Sequence, residues 1–290
     1  MNLLKLISFN SIYILLSLAM ISWAIAWTNA KIVGEYLSFY NLIFFRFLLG
    51  FISLLPFLIY NKKNLPSLKA YKYIIIPSIL FFIYNIAFFK GTYFGEAGRG
   101  AILVTTLNPL FTLLIISFIR KKIIFKEVLG IIVGLFGGLI IMDVFKHGFD
   151  IIFDIKNIYF LICAFTWGVM TVFIDLAQKK INPYIFISLC YFFTMVISWF
   201  FTDFKLIDLS LLDVRFYFNF FLVSIAAMSF GTSVYMYSTS IIGPIKASVF
   251  IFSVPFLAMG TSFIFLNEIF SLNTMVGGLI SLIAIYIVNK

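Results

Sequence analysis

The chain has 290 residues and a net charge of +10; it is 63% hydrophobic, only 11% charged, and has a mean hydropathy of +1.13. A soluble domain carries about a quarter charged residues, so this composition excludes a soluble globular protein and points to an integral membrane protein. The basic excess does not mark a nucleic-acid binder, because Lys and Arg sit in short gaps between apolar runs, where membrane orientation explains them.

Ten apolar segments follow one another: 9–30, 37–60, 71–89, 97–119, 127–142, 157–176, 183–202, 215–240, 244–266 and 271–288. Most reach the roughly 20 residues that carry a helix across a bilayer core. The first follows Lys5 and contains Ala24-Ile25-Ala26, features shared with signal peptides. Its uncharged run of 25 residues, 6–30, is too long for a signal core and right for a span. The fifth is short, with Phe125 and Phe145 available to extend it. Alternation at period two is absent, which argues against an outer-membrane barrel. Cys163 and Cys190 lie inside apolar runs and read as small buried hydrophobes. Pro109 and Pro255 fall in the middle of the fourth and ninth segments. A proline there frees the carbonyl four residues back, Thr105 or Ile251. In a membrane this is tolerated where the freed group faces protein or a wet cavity, so both helices are expected to kink and open at mid-depth.

Charge sets the orientation. With the N-terminus inside, 13 basic residues fall in cytoplasmic gaps and 7 outside, with Arg46 inside a span. The positive-inside rule then places both termini in the cytoplasm. Landmarks recur between the halves: Trp23 as Trp167, Pro109 as Pro255, and Gly130 as Gly277, at offsets of 144 to 147 residues. Five spans per half insert the second copy upside down. The reading is an all-α membrane protein of ten transmembrane helices in two inverted five-helix repeats, 1–146 and 147–290. Such repeats, with binding near the midplane, are a secondary-transporter architecture.

Trp23-Ala24 and Trp167-Gly168, Arg46 in the second segment, the Ala-to-Pro helices around Pro109 and Pro255, and Phe265-Leu266-Asn267-Glu268 followed by Gly277-Gly278 carry a family resemblance. In these residues and their order over nearly the whole chain, the sequence resembles the ten-helix EamA-type members of the drug/metabolite transporter superfamily. Asn267 stands where that family more often has Gly, and Lys121 stands about where Glu268 stands in the second half. The resemblance implies a multi-pass protein of a bacterial inner membrane. It also implies a central cavity built by the third, fourth, eighth and ninth helices.

Arg46 lies near the membrane middle, where a charge costs at least about 2.5 kcal/mol and usually faces the interior or a partner. It reads either as a counter-charge for an anionic solute or as a structural arginine, and the lack of a carboxylate at matching depth favours the structural role. Lys90 ends the third apolar run. It either snorkels to the outer headgroups or, if the helix continues as the resemblance implies, sits a turn inside as a cavity ammonium. Trp23 and Trp27 share a helical face. With Trp167, the polar residues Asn85, Thr105, Asn108, Ser233 and Tyr237 complete the candidate solute site, although tryptophans also mark interfaces and hydroxyls also bond their own helix. Gly130, Gly134 and Gly138, with Gly277 and Ser281, read as close helix packing.

No catalytic or nucleotide-binding motif is present, and neither enzymatic activity nor a cofactor is expected. The expected function is secondary transport of a small organic metabolite by alternating access, with export of an amino acid or a related compound leading. Uptake or exchange of a nucleotide-like or sugar-like metabolite, or a passive channel or receptor, are the alternatives. A proton gradient or exchange would drive it, and the sequence leaves monomer and homodimer open.

Overall fold

The computed structural model describes residues 9–61, 65–149, 152, 155–204, 209–266 and 271–290, and every regular element among them is helical. Lys5, Lys62, Lys63, Lys205, Asn267 and Glu268 lie outside the described residues. The first half holds α1 (Phe9–Val33), α2 (Phe39–Tyr60), α3 (Lys72–Phe94), α4 (Ala97–Arg120) and α5 (Phe125–Ile141). The second holds α6 (Ile158–Gln178), α7 (Pro183–Trp199), α8 (Val214–Ile242), α9 (244–266) and α10 (Leu272–Asn289). Seven of these, α1 to α4, α6, α8 and α10, are long and apolar enough to cross a membrane by length and composition; α7 and the stretch Pro244–Gly260 of α9 are shorter apolar helices. Helix α5 has 17 residues, about 25 Å at 1.5 Å per residue. The expectation of an all-helical membrane protein holds.

Local chemistry sets the helix ends. Ser38, Asn182, Asp213 and Ser271 each cap a helix by accepting a backbone N–H from its first turn, which satisfies a donor that has no partner inside the helix. Asp213 accepts the Phe216 N–H at 2.8 Å and the Tyr36 hydroxyl at 3.2 Å. The first of these bonds is the main reason its carboxyl is held below the usual carboxylate range. Gly243, at φ +88°, ends α8 and passes directly to Pro244 at the first position of α9, the stop and start that these two residues favour.

The helix pairs follow the repeat. Helix α5 packs on α10 and α2 on α7; α1 packs on α8 as α6 packs on α3, and α1 on α9 as α6 on α4. Exchanging the halves maps this set of contacts onto itself. Small residues make the closest pairing, α5 with α10: a Cβ added at Gly137 would lie 2.7 Å from Ser281 Oγ and 2.8 Å from the Gly277 carbonyl. The two prolines act differently. Helix α9 tightens into a 3₁₀ turn over Val249–Ser253 before Pro255, whereas α4 runs as one α-helix through Pro109.

Two outcomes follow from this arrangement. The ten-span reading expects a reporter fused after Lys290 to be cytoplasmic and one inserted beside His147 to be external; finding both on one side excludes it. Gly137→Val is expected to cost about 1–3 kcal/mol through overpacking against the α10 backbone, read as a lower unfolding temperature in detergent, while Gly98→Ala, at a site with open space, changes little.

Candidate functional site

A cavity of about 50 Å³ lies where α1, α2, α3, α4, α6, α8 and α9 converge. Both halves build it, and the residue four before each central proline, Thr105 and Ile251, is on its wall. Those are the positions whose carbonyls the prolines release.

Arg46 forms the cationic part of the wall and is only 6% exposed. Its Nε donates to the Val223 carbonyl at 3.1 Å and a terminal nitrogen donates to Asn85 Oδ1 at 2.7 Å. Asn85 is itself held, because its amide nitrogen donates to the Phe81 carbonyl at 2.8 Å. The guanidinium also lies 5.4 and 5.7 Å from the ring centres of Phe88 and Phe89, within the range where an aromatic face attracts a cation. Arg46 is therefore both structurally bonded and placed at the cavity, so the two readings of it are compatible.

Six aromatic residues, Trp23, Trp27, Phe81, Tyr84, Phe88 and Trp167, are also in the lining. Trp23 meets Trp167 edge to face at 5.0 Å, and Tyr84 stands 4.9 Å from Trp167. Trp23 is anchored by Nε1 donating to the Ala227 carbonyl at 2.9 Å. Gly168 lets α6 close on α4 beside Asn108: a Cβ there would lie 2.6 Å from Phe111 Cβ. On this side the buried Asn108 Oδ1 has no hydrogen-bond partner among the described residues, while the Trp167 indole lies within reach of the Tyr235 hydroxyl. Such an atom costs about 1–3 kcal/mol when left unpaired in a dry site, so the wall is suited to a guest that supplies a donor. Among the described residues, no carboxylate or histidine lines the cavity.

Of the residues singled out from the sequence, Trp23, Arg46, Asn85, Thr105, Asn108 and Trp167 meet on this wall. Lys90 does not: α3 continues to Phe94, which puts Lys90 a turn inside the helix, but the side chain is partly exposed and outside the lining. Ser233 lies 3.3 Å from the Tyr191 hydroxyl, and Tyr237 stacks on Tyr184 at 5.6 Å, both away from the cavity. Sequence reasoning missed Phe81, Tyr84 and Phe88. Together with Asn85 they fall at i, i+3, i+4 and i+7, one face of α3, and the face around Asn85 was the available signal.

The EamA-like transporter family profile matches residues 10–143 and again 155–290. The chain belongs to the EamA-like transporter family. Among curated relatives, it is 30% identical over 159 residues to the S-adenosylmethionine uptake transporter of Rickettsia bellii, a match covering 52% of this chain and 49% of that protein. It is 28% identical over 274 residues to the uncharacterized transporter YdfC of Bacillus subtilis, covering 89% and 84%. The match to the first relative spans about half of its length. A protein of known crystal structure shares the fold, with a TM-score of 0.72 at 15% identity over 97% of this chain and 96% of that one. The double match to one family profile agrees with the exchange symmetry of the helix contacts.

The Arg46–Asn85 pair yields a stability prediction. Asn85→Leu, which removes one partner of a buried guanidinium, is expected to destabilise the protein by about 1–3 kcal/mol, whereas Asn85→Asp, which still accepts from Arg46 but loses the donor to the Phe81 carbonyl, is expected to lose less. Thermal unfolding of the two purified variants checks this.

Proposed function

We propose that the protein is a secondary transporter that moves a small organic metabolite across a bacterial inner membrane by alternating access, with this cavity as the solute site. The observation that carries the reading is a buried guanidinium set in an aromatic wall without a neighbouring acid. Such a wall is complementary to a solute with an anionic group at one end and a flat or cationic group at the other. S-adenosylmethionine has a carboxylate, a sulfonium and an adenine ring. Arg46 suits the carboxylate, while Trp23, Tyr84 and Trp167 suit the other two. The names of the relatives support uptake over the export of an amino acid expected from the sequence, although free amino acids share the same carboxylate. They also support transport rather than catalysis.

A cavity of about 50 Å³ is far below the roughly 300–1,000 Å³ that holds a small-molecule ligand, so loading requires the helices to part. Among the described residues the lining offers no carboxylate or histidine to carry a proton, which favours exchange of one solute for another over proton coupling at the cavity.

The test is counterflow in proteoliposomes with labelled S-adenosylmethionine and a panel of amino acids. Saturable uptake accelerated by internal solute is expected. Arg46→Ala should lower it at least about tenfold, the range of a lost hydrogen bond to a charge, and Lys90→Ala should leave it near wild type. Conductance without saturation would overturn the carrier reading in favour of a channel.

A further inference from the structure

The wall that α8 presents to the cavity is not α-helical. From Leu222 to Thr232, 11 residues, it is a π-helix. Such helices are rare and mostly a single turn long, so a run of this length needs support from outside itself. Three side chains from three other helices supply it, each donating to a carbonyl of the segment. Arg46 Nε of α2 reaches Val223, Trp23 Nε1 of α1 reaches Ala227, and the Tyr191 hydroxyl of α7 reaches Met228, at 3.1, 2.9 and 2.8 Å. A carbonyl has two lone pairs and can take such a bond beside its helical one. Inside the segment, the Ser229 and Thr232 hydroxyls bond back five residues, to Ser224 and Ala227, which is the spacing of a π turn.

Two of the three donors line the cavity. Tyr191 does not: it is fully buried behind the wall, edge-on to Phe47 at 5.6 Å and to Phe81 at 6.0 Å. Gly50 makes its room, since a Cβ there would lie 2.9 Å from the Tyr191 ring and would also collide with Met228. The hydroxyl touches both Met228 and, at 3.3 Å, Ser233, the residue where the π-helix gives way to α-helix. Tyr191 lies on α7, the helix that pairs with α2 across the two halves.

We propose that Tyr191 is a positioning residue: by holding the Met228 carbonyl it fixes the π register of α8, and through that register it sets where Arg46 and Trp23 stand in the cavity. Conversion to an α-helix would rewind the segment from i+5 to i+4 bonding and rotate the lining residues Ala227, Met228 and Thr232 about the helix axis, by more for those nearer its end. That rotation would take the Val223 and Ala227 carbonyls away from Arg46 and Trp23. The role in transport rests on the cavity being the solute site; the role in the register does not.

Tyr191→Phe keeps the ring and removes the hydroxyl. In hydrogen exchange of the full-length protein, amides of 222–232 should exchange about two- to tenfold faster than in wild type, the range for one lost neutral hydrogen bond, with α5 and α10 unchanged. In proteoliposomes the KM for S-adenosylmethionine should rise by a similar factor while the maximal rate holds. In a Trp23→Phe background, which lacks the N–H that reaches Ala227, the added effect of Tyr191→Phe should shrink, because two groups acting through one element are not additive. If Tyr191→Phe is not recovered folded, Ser233→Ala, which removes only the 3.3 Å contact, should give faster exchange at the end of the segment. Wild-type exchange of 222–232 in the recovered variant, or fully additive KM effects in the double variant, overturns the proposal. Absence of transport by the wild-type protein would count against the proposed function and leave the exchange result to decide this one.

Discussion

A guanidinium inside a membrane protein has to be solvated by protein, and the arrangement around Arg46 shows how that requirement organises the centre of this fold. Asn85 of α3, the Val223 carbonyl of α8 and the faces of Phe88 and Phe89 replace water around it. Asn85 can do so only because its amide nitrogen is tied to the Phe81 carbonyl, which orients the oxygen toward Arg46. Helices α2, α3 and α8 are thereby drawn to one point. The segment of α8 that accepts from Arg46 also accepts from Trp23, so the charged and aromatic parts of the cavity are joined through one backbone.

The two repeats share architecture but divide the chemistry. Trp23 and Trp167 occupy matching places and meet at the cavity, and each central proline follows a cavity residue by four. Helices α2 and α7 each send one different side chain, Arg46 and Tyr191, to the π-helical stretch of the second half. The outcome is a symmetric scaffold around an asymmetric cavity: one wall carries the cation, and the α4–α6 side carries the unpaired Asn108 oxygen. A solute with unlike ends is what such a site can orient. Among the described helices, the two that depart furthest from regular α-helix, α8 and α9, are both on the cavity wall.

Much of this was legible in the residues themselves. The composition and the run lengths determined a helical membrane protein, because an apolar chain of this kind can satisfy its backbone in lipid only by helices or a closed barrel, and the alternation a barrel needs is missing. Arg46, Asn85 and Asn108 stood out since a polar group in an apolar run is costly unless it faces the protein interior. The spacing of Trp23 and Trp167 showed the repeat. Other features were decided only by the tertiary structure. Lys90 lies on a cavity helix yet outside the lining, and Ser233 and Tyr237 find partners elsewhere. Phe81, Tyr84 and Phe88 were easily missed because lipid and protein core both favour apolar side chains, so only their helical spacing from Asn85 marks that face of α3. The π register of α8 had no local signature either: it depends on donors from α1, α2 and α7 that are up to 204 residues away in the chain, and only the closed bundle brings them to the same carbonyls.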